Sequence, residues 1–147
     1  MMKRKRSVFF RITALLISLL MLCPLNANAA EVRASYYLDS YSAYVYAAGG
    51  GKVQICFSVT GVNYMDDIGC LSIELYESTD NSNWEWVDSY TDTNTSNLLA
   101  QNKIHYSSYV DYQGVAGRYY KAYVCIWAGK DGNGDSRYYW TSSTKAT

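Results

Sequence analysis

The 147-residue chain is predicted to form an all-β domain, an antiparallel two-sheet β-sandwich of about seven strands. Three observations favour this fold class. All 16 Tyr and all four Trp residues follow residue 30, and aromatic residues favour pleated strands. Apolar and polar residues alternate in several short runs, which is the strand period. Turn sequences separate these runs roughly every 8–14 residues. A small closed barrel is the main alternative.

Residues 1–30 are predicted to be a secretory signal peptide, which leaves residues 31–147 as a single domain. The first 11 positions hold five basic residues, and an apolar run follows at about 12–22. Small residues then provide a cleavage site after Ala29 or Ala30. The apolar run of about 11 residues is shorter than the ~20 that a membrane-spanning helix needs.

The formal net charge of zero conceals an uneven distribution of charge. The predicted signal peptide contains five of the 13 basic residues, and all 13 acidic residues follow it, so eight basic residues face 13 acids and the mature net charge is −5. This argues against nucleic-acid binding, which needs a cationic surface. We expect a secreted, extracellular protein with no membrane insertion after cleavage. An uncleaved anchor and a lipoprotein attached through Cys23 are the alternatives.

The strands are predicted in chain order from alternation and turns. A first strand is expected at 35–47 and ends before Gly49-Gly50-Gly51, and a second at 52–59 places its apolar residues on one face. A third is expected at 70–76, with Leu71, Ile73 and Leu75 on one face.

The turn Asp80-Asn81-Ser82-Asn83 separates the third strand from a fourth at 84–90. One helical turn is expected at 96–101, followed by strands at 103–109 and 119–128. The alternation at 119–128 puts Tyr120, Ala122, Val124, Ile126 and Ala128 on one face. A Gly-rich turn at 132–134 then leads to a last strand at 136–141.

Two resemblances agree with this architecture. The run Tyr120-x-Ala122-x-Val124-x-Ile126, followed by a Gly-rich hairpin and Ser136, resembles the end of an immunoglobulin/fibronectin type III-like sandwich. Residues 68–78 (IGCLSIELYES) and 128–137 (AGKDGNGDSR) resemble a family of small secreted proteins from Gram-positive, clostridia-like bacteria, a domain of unknown function. This resemblance implies secretion and a sandwich fold, and it implies no catalytic residues.

Three cysteines remain after removal of the signal peptide, so at most one intramolecular disulfide can form. In an immunoglobulin-like strand order the third and sixth strands are antiparallel neighbours. Alternation places Cys70 and Cys125 on the outer faces of these strands, and we expect them to form a cross-strand disulfide. Three reduced thiols, including Cys56, are the alternative.

The acidic turn has two interpretations. Asp131-x-Asn133-x-Asp135 resembles the start of a calcium-binding loop, to which Asp66 and Asp67 of a preceding loop could add carboxylates. A hairpin turn is favoured, because Ser136 stands where a calcium loop needs Gly. We therefore expect no cofactor, with Ca²⁺ as the alternative.

Aromatic residues on the polar faces of the strands are the candidate binding residues. Flat rings provide contact area at a small entropic cost, and sheets use them to bind glycans or proteins. The alternative is that these rings fill a small core and cover the sheet rims. The candidate binding residues are Trp84, Trp86, Tyr119, Tyr123 and Trp127.

Catalysis is not expected. His105 has no evident nucleophile partner, and Glu74 and Glu77 are three residues apart on a strand, so they point to opposite faces. The sequence therefore predicts an extracellular binding module with an unknown protein or glycan partner. A secreted effector or antimicrobial protein is the alternative, and a small hydrolase that uses Asp67 and Asp111 is a third.

Overall fold

The computed structural model describes residues 35–147, and the predicted signal peptide lies outside this range. The described chain forms one antiparallel sheet, which confirms the all-β prediction. No helix in this part of the chain is long and apolar enough to cross a membrane. The seven strands are β1 (Leu38–Gly49), β2 (Lys52–Ser78), β3 (Glu85–Thr91), β4 (Leu99–Gln113), β5 (Tyr119–Lys130), β6 (Asn133–Trp140) and β7 (Thr144–Lys145).

Strand β2 is 27 residues long and organises the sheet. Its first half pairs with β1 on one edge and with β4 on the other. Its second half pairs with β5 on the edge that β1 occupies and with β3 on the edge that β4 occupies. Strands β6 and β7 then pair with β5. The sheet curls into a half-barrel and does not separate into two clearly distinct sheets.

Two predicted strands are therefore one continuous strand. The segments 52–59 and 70–76 both belong to β2, and Asp66 and Asp67, predicted to lie in a loop, are part of the same strand. Register shifts lie at 60–65 against β4 and at 70–72 against β5. Because such bulges bend a strand and increase its twist, a single strand can serve both halves of the curled sheet.

The core lies on the inner surface of the curl. The alternation predicted at 52–59 and 119–128 is confirmed, because the apolar residues of both runs are buried. The contact between Tyr112 of β4 and Tyr120 of β5, whose ring centroids are 5.9 Å apart, joins the two halves of the sheet across this core. The principal buried residues are Val53, Ile55, Phe57, Val59, Ile73, Leu75, Tyr120, Ala122, Val124, Ile126 and Ala128.

The helical turn predicted at 96–101 is wrong. Asn97 has a positive φ of 87°, Leu98 is fully buried, and Leu99 already begins β4. The backbone N–H of Cys70 donates to the Leu98 carbonyl at 2.9 Å. Tertiary pairing with β2 therefore overrides the local helical propensity of this segment.

The predicted Cys70–Cys125 disulfide is not formed, and residues 35–147 contain three free thiols. The bulge at 70–72 shifts the alternation by one residue, so Cys70 lies opposite Ile126 and joins the core cluster. Cys125 lies on the opposite face, where it is paired with Ser72. The prediction that both thiols lie on the outer face was wrong for Cys70, because a one-residue shift turns a side chain to the other face.

Candidate functional site

The outer face of β3, β5, β6 and the second half of β2 carries a continuous group of aromatic side chains. The strand register places Trp86, Tyr76 and Lys121 in one cross-strand row. It places Glu74, Tyr123 and Trp140 in the next row and Tyr138 beside Cys125. We call this group the aromatic surface, and its members are Tyr76, Trp84, Trp86, Lys121, Tyr123, Tyr138 and Trp140.

The rings of the aromatic surface contact one another. Trp140 is central, with its ring centroid 5.0 Å from that of Tyr76 and 4.9 Å from that of Tyr123. Tyr123 also stacks on Tyr138 at 5.8 Å. These separations lie in the range in which tilted or offset aromatic pairs attract each other, so the rings support one another's orientation.

Lys121 connects the two tryptophans of this surface. Its Nζ atom lies 4.3 Å from the centroid of the Trp84 ring and 4.5 Å from that of Trp140. Both distances are typical of cation–π contacts. Trp84 precedes β3 and Trp140 ends β6, and these two strands do not pair with each other. Lys121 therefore links two parts of the aromatic surface that no backbone pairing connects.

The aromatic surface faces solvent, and the phenol groups of Tyr76 and Tyr138 stay protonated. Trp86, Tyr138 and Trp140 are exposed. The Tyr76 hydroxyl donates to Glu74 at 3.0 Å, and this hydrogen bond raises the pKa of Tyr76. A hydrogen bond with the Cys125 thiol raises the pKa of Tyr138. Both phenols therefore remain neutral hydrogen-bonding groups in physiological conditions.

The five predicted binding residues do not all belong to the aromatic surface. Trp84, Trp86 and Tyr123 do. Tyr119 lies at the start of β5, where Lys145 approaches its ring at 5.4 Å. Trp127 covers the β5–β6 hairpin, because a Cβ at Gly129 or Gly134 would collide with its indole ring.

The candidate binding residues named from the sequence did not include Tyr76, Lys121, Tyr138 or Trp140. The signal for Tyr138 and Trp140 was present, since the period of two in the segment 136–141 puts positions 138 and 140 on one face. Which face that is depends on the pairing of β6 with β5. The role of Lys121 had no sequence signal, because its two ring partners are 37 and 19 residues away in the chain.

The residues of the predicted calcium loop form a tight hairpin. Asp131 and Gly132, with φ of 53° and 75°, connect Lys130 to its strand partner Asn133. The Asp135 carboxylate accepts hydrogen bonds from Ser35 Oγ at 2.6 Å and the Tyr36 N–H at 3.0 Å, which lower its pKa. Within residues 35–147 no three His, Cys, Asp or Glu side chains form a metal-binding group.

His105 lies between two hydroxyl groups on the first half of the sheet. Its Nδ1 atom is 3.1 Å from Thr60 Oγ1, and its Nε2 atom is 3.0 Å from Ser107 Oγ. Ser107 Oγ also donates to Ser58 Oγ at 2.9 Å. These contacts form a polar chain across β2 and β4 on the outer face of the sheet.

Glu77 forms an ionic network at the end of β2. Its carboxylate pairs with the Arg118 guanidinium and accepts a hydrogen bond from the Tyr120 hydroxyl at 3.0 Å. The same hydroxyl accepts the Val115 N–H at 2.9 Å. The network connects the segment before β5 to β2. Glu74 is not part of this network, because its side chain points to the outer face of the sheet.

Comparisons with known proteins give only a distant structural likeness. No protein-family model matches the chain, and no curated protein matches it. Among solved structures, the fold is similar to that of Spo0M, a sporulation control protein from Bacillus subtilis, with 13% sequence identity and a TM-score of 0.39. The likeness covers 69% of this chain and 47% of Spo0M.

Proposed function

We propose that the protein is a secreted extracellular binding module and that a glycan or protein ligand binds to its aromatic surface. The observation that carries this proposal is the group of six aromatic rings on one outer sheet face, three of them exposed. Four of these rings contact one another, Lys121 connects Trp84 to Trp140, and Trp86 is the strand partner of Tyr76. Rings that served only the core would lie on the inner face of the sheet, as Tyr120 does.

The physical properties of the aromatic surface suit binding. Trp and Tyr dominate binding hot spots, because each provides a large contact area with few rotatable bonds. The ring contacts and Lys121 hold these side chains in place before a ligand arrives, which lowers the entropic cost of association. The phenol hydroxyls of Tyr76 and Tyr138 add donors and acceptors for hydroxyl or amide groups of a ligand.

Two further features belong to the proposal. The basic and apolar pattern of residues 1–30 supports export through a signal peptide. The contact of Tyr112 with Tyr120 across the core, and the hydrogen bond from the Tyr90 hydroxyl to the Asp111 carbonyl at 3.5 Å, support a curled form of the immunoglobulin/fibronectin type III-like sandwich.

The test uses the labelled protein on a glycan array and on intact bacterial cells, with and without protease treatment of the cells. Tyr138→Ala and Trp86→Ala are expected to reduce binding by about tenfold or more. Tyr64→Ala is the matched control, because Tyr64 and Tyr138 are both 59% exposed and Tyr64 is not part of the aromatic surface.

Binding to the array identifies a glycan ligand. Binding to cells that protease treatment abolishes, without binding to the array, identifies a protein partner. Equal loss of binding in the Tyr64 and Tyr138 variants would contradict the assignment to the aromatic surface. No binding in either format would contradict the proposal as a whole.

A further inference from the structure

An open, shallow polar depression, called the cavity below, shares no residue with the aromatic surface. Its volume is about 450 Å³. It lies between the β3–β4 loop, the end of β3 and the later part of β4. The residues that the following argument uses are Tyr90, Asn94, Thr95, Asn97, Tyr109 and Asp111.

Hydrogen bonds between the loop and β4 hold the cavity open. Asn97 Nδ2 donates to the Tyr109 carbonyl at 3.2 Å, and the Tyr106 hydroxyl donates to the Asn97 carbonyl at 2.8 Å. Next to the cavity, Leu98 is fully buried and anchors the loop in the core. The cavity is therefore pre-formed, and a ligand would not have to order the loop.

The loop is also fixed internally. Asn94 Oδ1 accepts the Thr91 N–H at 2.8 Å and the Thr95 hydroxyl at 2.7 Å. The Thr95 N–H donates to the Thr91 carbonyl at 2.9 Å. These bonds fix the conformation of the loop and the positions of its amide and hydroxyl side chains, as specific polar recognition requires.

The groups that build the walls are mostly backbone groups. The bonds to Tyr109 and Asp111 from Asn97 and Tyr90 end on backbone carbonyl oxygens. They do not use the Tyr109 phenol or the Asp111 carboxylate, and both residues are exposed and line the cavity. Residues with aromatic rings, amides, hydroxyls and one carboxylate thus line a single place.

This set of groups selects among ligand classes. No Lys, Arg or His is among the described residues that line the cavity, so nothing there would neutralise a phosphate or carboxylate ligand. Amides and hydroxyls donate and accept hydrogen bonds, and a carboxylate accepts them. Together these groups suit a ligand with several hydroxyl groups, because each ligand hydroxyl both donates and accepts. The Tyr90 and Tyr109 rings provide apolar contact for the C–H face of a ligand such as a pyranose ring.

We infer that this cavity is a binding site for a neutral saccharide unit, with Asp111 accepting hydrogen bonds from two sugar hydroxyls and Asn94, Thr95 and Asn97 providing further polar contacts. A sugar contact on the aromatic surface and one in this cavity would be separate sites, so this inference stands or falls independently of the proposed function.

The test is an NMR titration of ¹⁵N-labelled protein with glucose, galactose, mannose and N-acetylglucosamine, each to about 20 mM, which covers the millimolar range of weak affinities. Glucuronate, inorganic phosphate and choline are titrated in parallel. At least one neutral sugar is expected to shift the amide signals of residues 94–97 and 109–111. Asp111→Asn is expected to weaken that binding about tenfold or more, since it removes a charged acceptor and keeps the shape.

Asp92→Asn is the matched control, because Asp92 lies in the same loop but outside the cavity. It is expected to bind the sugar as the unchanged protein does. Trp86→Ala is also expected to retain this binding, which separates the cavity from the aromatic surface. The inference is overturned if no neutral sugar shifts these signals, or if choline or an anion shifts them more strongly. It is equally overturned if Trp86→Ala abolishes sugar binding and Asp111→Asn does not.

Discussion

The Lys121 ammonium lies 4.5 Å from the centroid of the Trp140 ring, on the outer face of two paired strands. The same Nζ atom lies 4.3 Å from the centroid of the Trp84 ring, so one charge serves two indoles. The aromatic surface therefore depends on a cation at its centre as well as on ring contacts. This arrangement leads to the first of five predictions.

Lys121→Met should lower the free energy of unfolding by about 1 kcal/mol, because two cation–π contacts are lost while the aliphatic chain is kept. Urea unfolding measures the change. Lys103→Met is the control, because Lys103 is exposed on β4 and is not part of the aromatic surface. Equal effects of the two substitutions would show that the cation–π contacts do not stabilise the protein.

Gly69→Ala should lower the free energy of unfolding by about 3 kcal/mol or more, through overpacking and backbone strain. Gly69 has φ of 149°, and a Cβ there would collide with the Leu98 carbonyl oxygen. Gly132→Ala should cost only about 1 kcal/mol, since its positive φ is strained but no atom lies within 4 Å of the added Cβ. Thermal and urea unfolding of both variants compare the two sites, and similar losses would count against the collision.

Tyr120→Phe should lower the free energy of unfolding by about 1–3 kcal/mol. The lost hydroxyl accepts the Val115 N–H and donates to Glu77, so both partners are left with one contact fewer. Tyr112→Phe is the control, since it removes a hydroxyl from the neighbouring ring. If the two variants unfold at the same urea concentration, the hydrogen bonds of the Tyr120 hydroxyl do not contribute to stability.

Stability should fall as the pH rises from about 9 to 12. Burial raises the pKa of Cys70 from 9.0 to about 12 and that of Tyr139 from 10.0 to about 12. Above pH 9 the unfolded chain therefore loses protons that the folded chain retains, which favours unfolding by up to about 1.4 kcal/mol per pH unit for each group. Urea unfolding at several pH values should give a shallower slope for Cys70→Ala than for the unchanged protein. An equal slope would show that Cys70 ionises normally in the folded state.

Alkylation of the folded protein should modify Cys56 well before Cys70 and Cys125. Cys56 is partly exposed, whereas the other two thiols are buried. Burial also raises the pKa of all three thiols, most strongly at Cys70, and only the thiolate reacts. Mass spectrometry of peptides at increasing reaction times follows the order. Recovery of a disulfide-linked Cys70–Cys125 peptide would contradict the placement of these residues on opposite faces.

Local sequence patterns were sufficient where a strand is regular. The alternation in 52–59 and 119–128 correctly identified the buried faces, since the side-chain period of a strand is two. It failed at Cys70, because the bulge between Cys70 and Ser72 is defined by the pairing with β5 and leaves no mark in composition. It also failed at residues 96–101, where pairing with β2 outweighs local propensity.

Local sequence patterns likewise predicted only part of the candidate site. Trp84, Trp86 and Tyr123 were predicted from their types and positions, and they share a face in the structure. Lys121 and Trp140 became part of the site only through the pairing of β5 with β6. Asn94, Asn97 and Asp111 line the cavity because β3 and β4 pair with the same edge of β2 and the Tyr90 hydroxyl reaches the Asp111 carbonyl.

The sequence by itself determined the strand content, the inward faces of the regular runs and the acidic charge of residues 31–147, because these depend on residue type and a period of two. Tertiary structure alone decided that two predicted strands are one 27-residue strand. It also decided which faces Cys70 and Cys125 occupy and which rings meet around Lys121. The physical reason is that register, bulges and curl depend on pairing between residues far apart in the chain, and each one-residue shift turns a side chain to the other face.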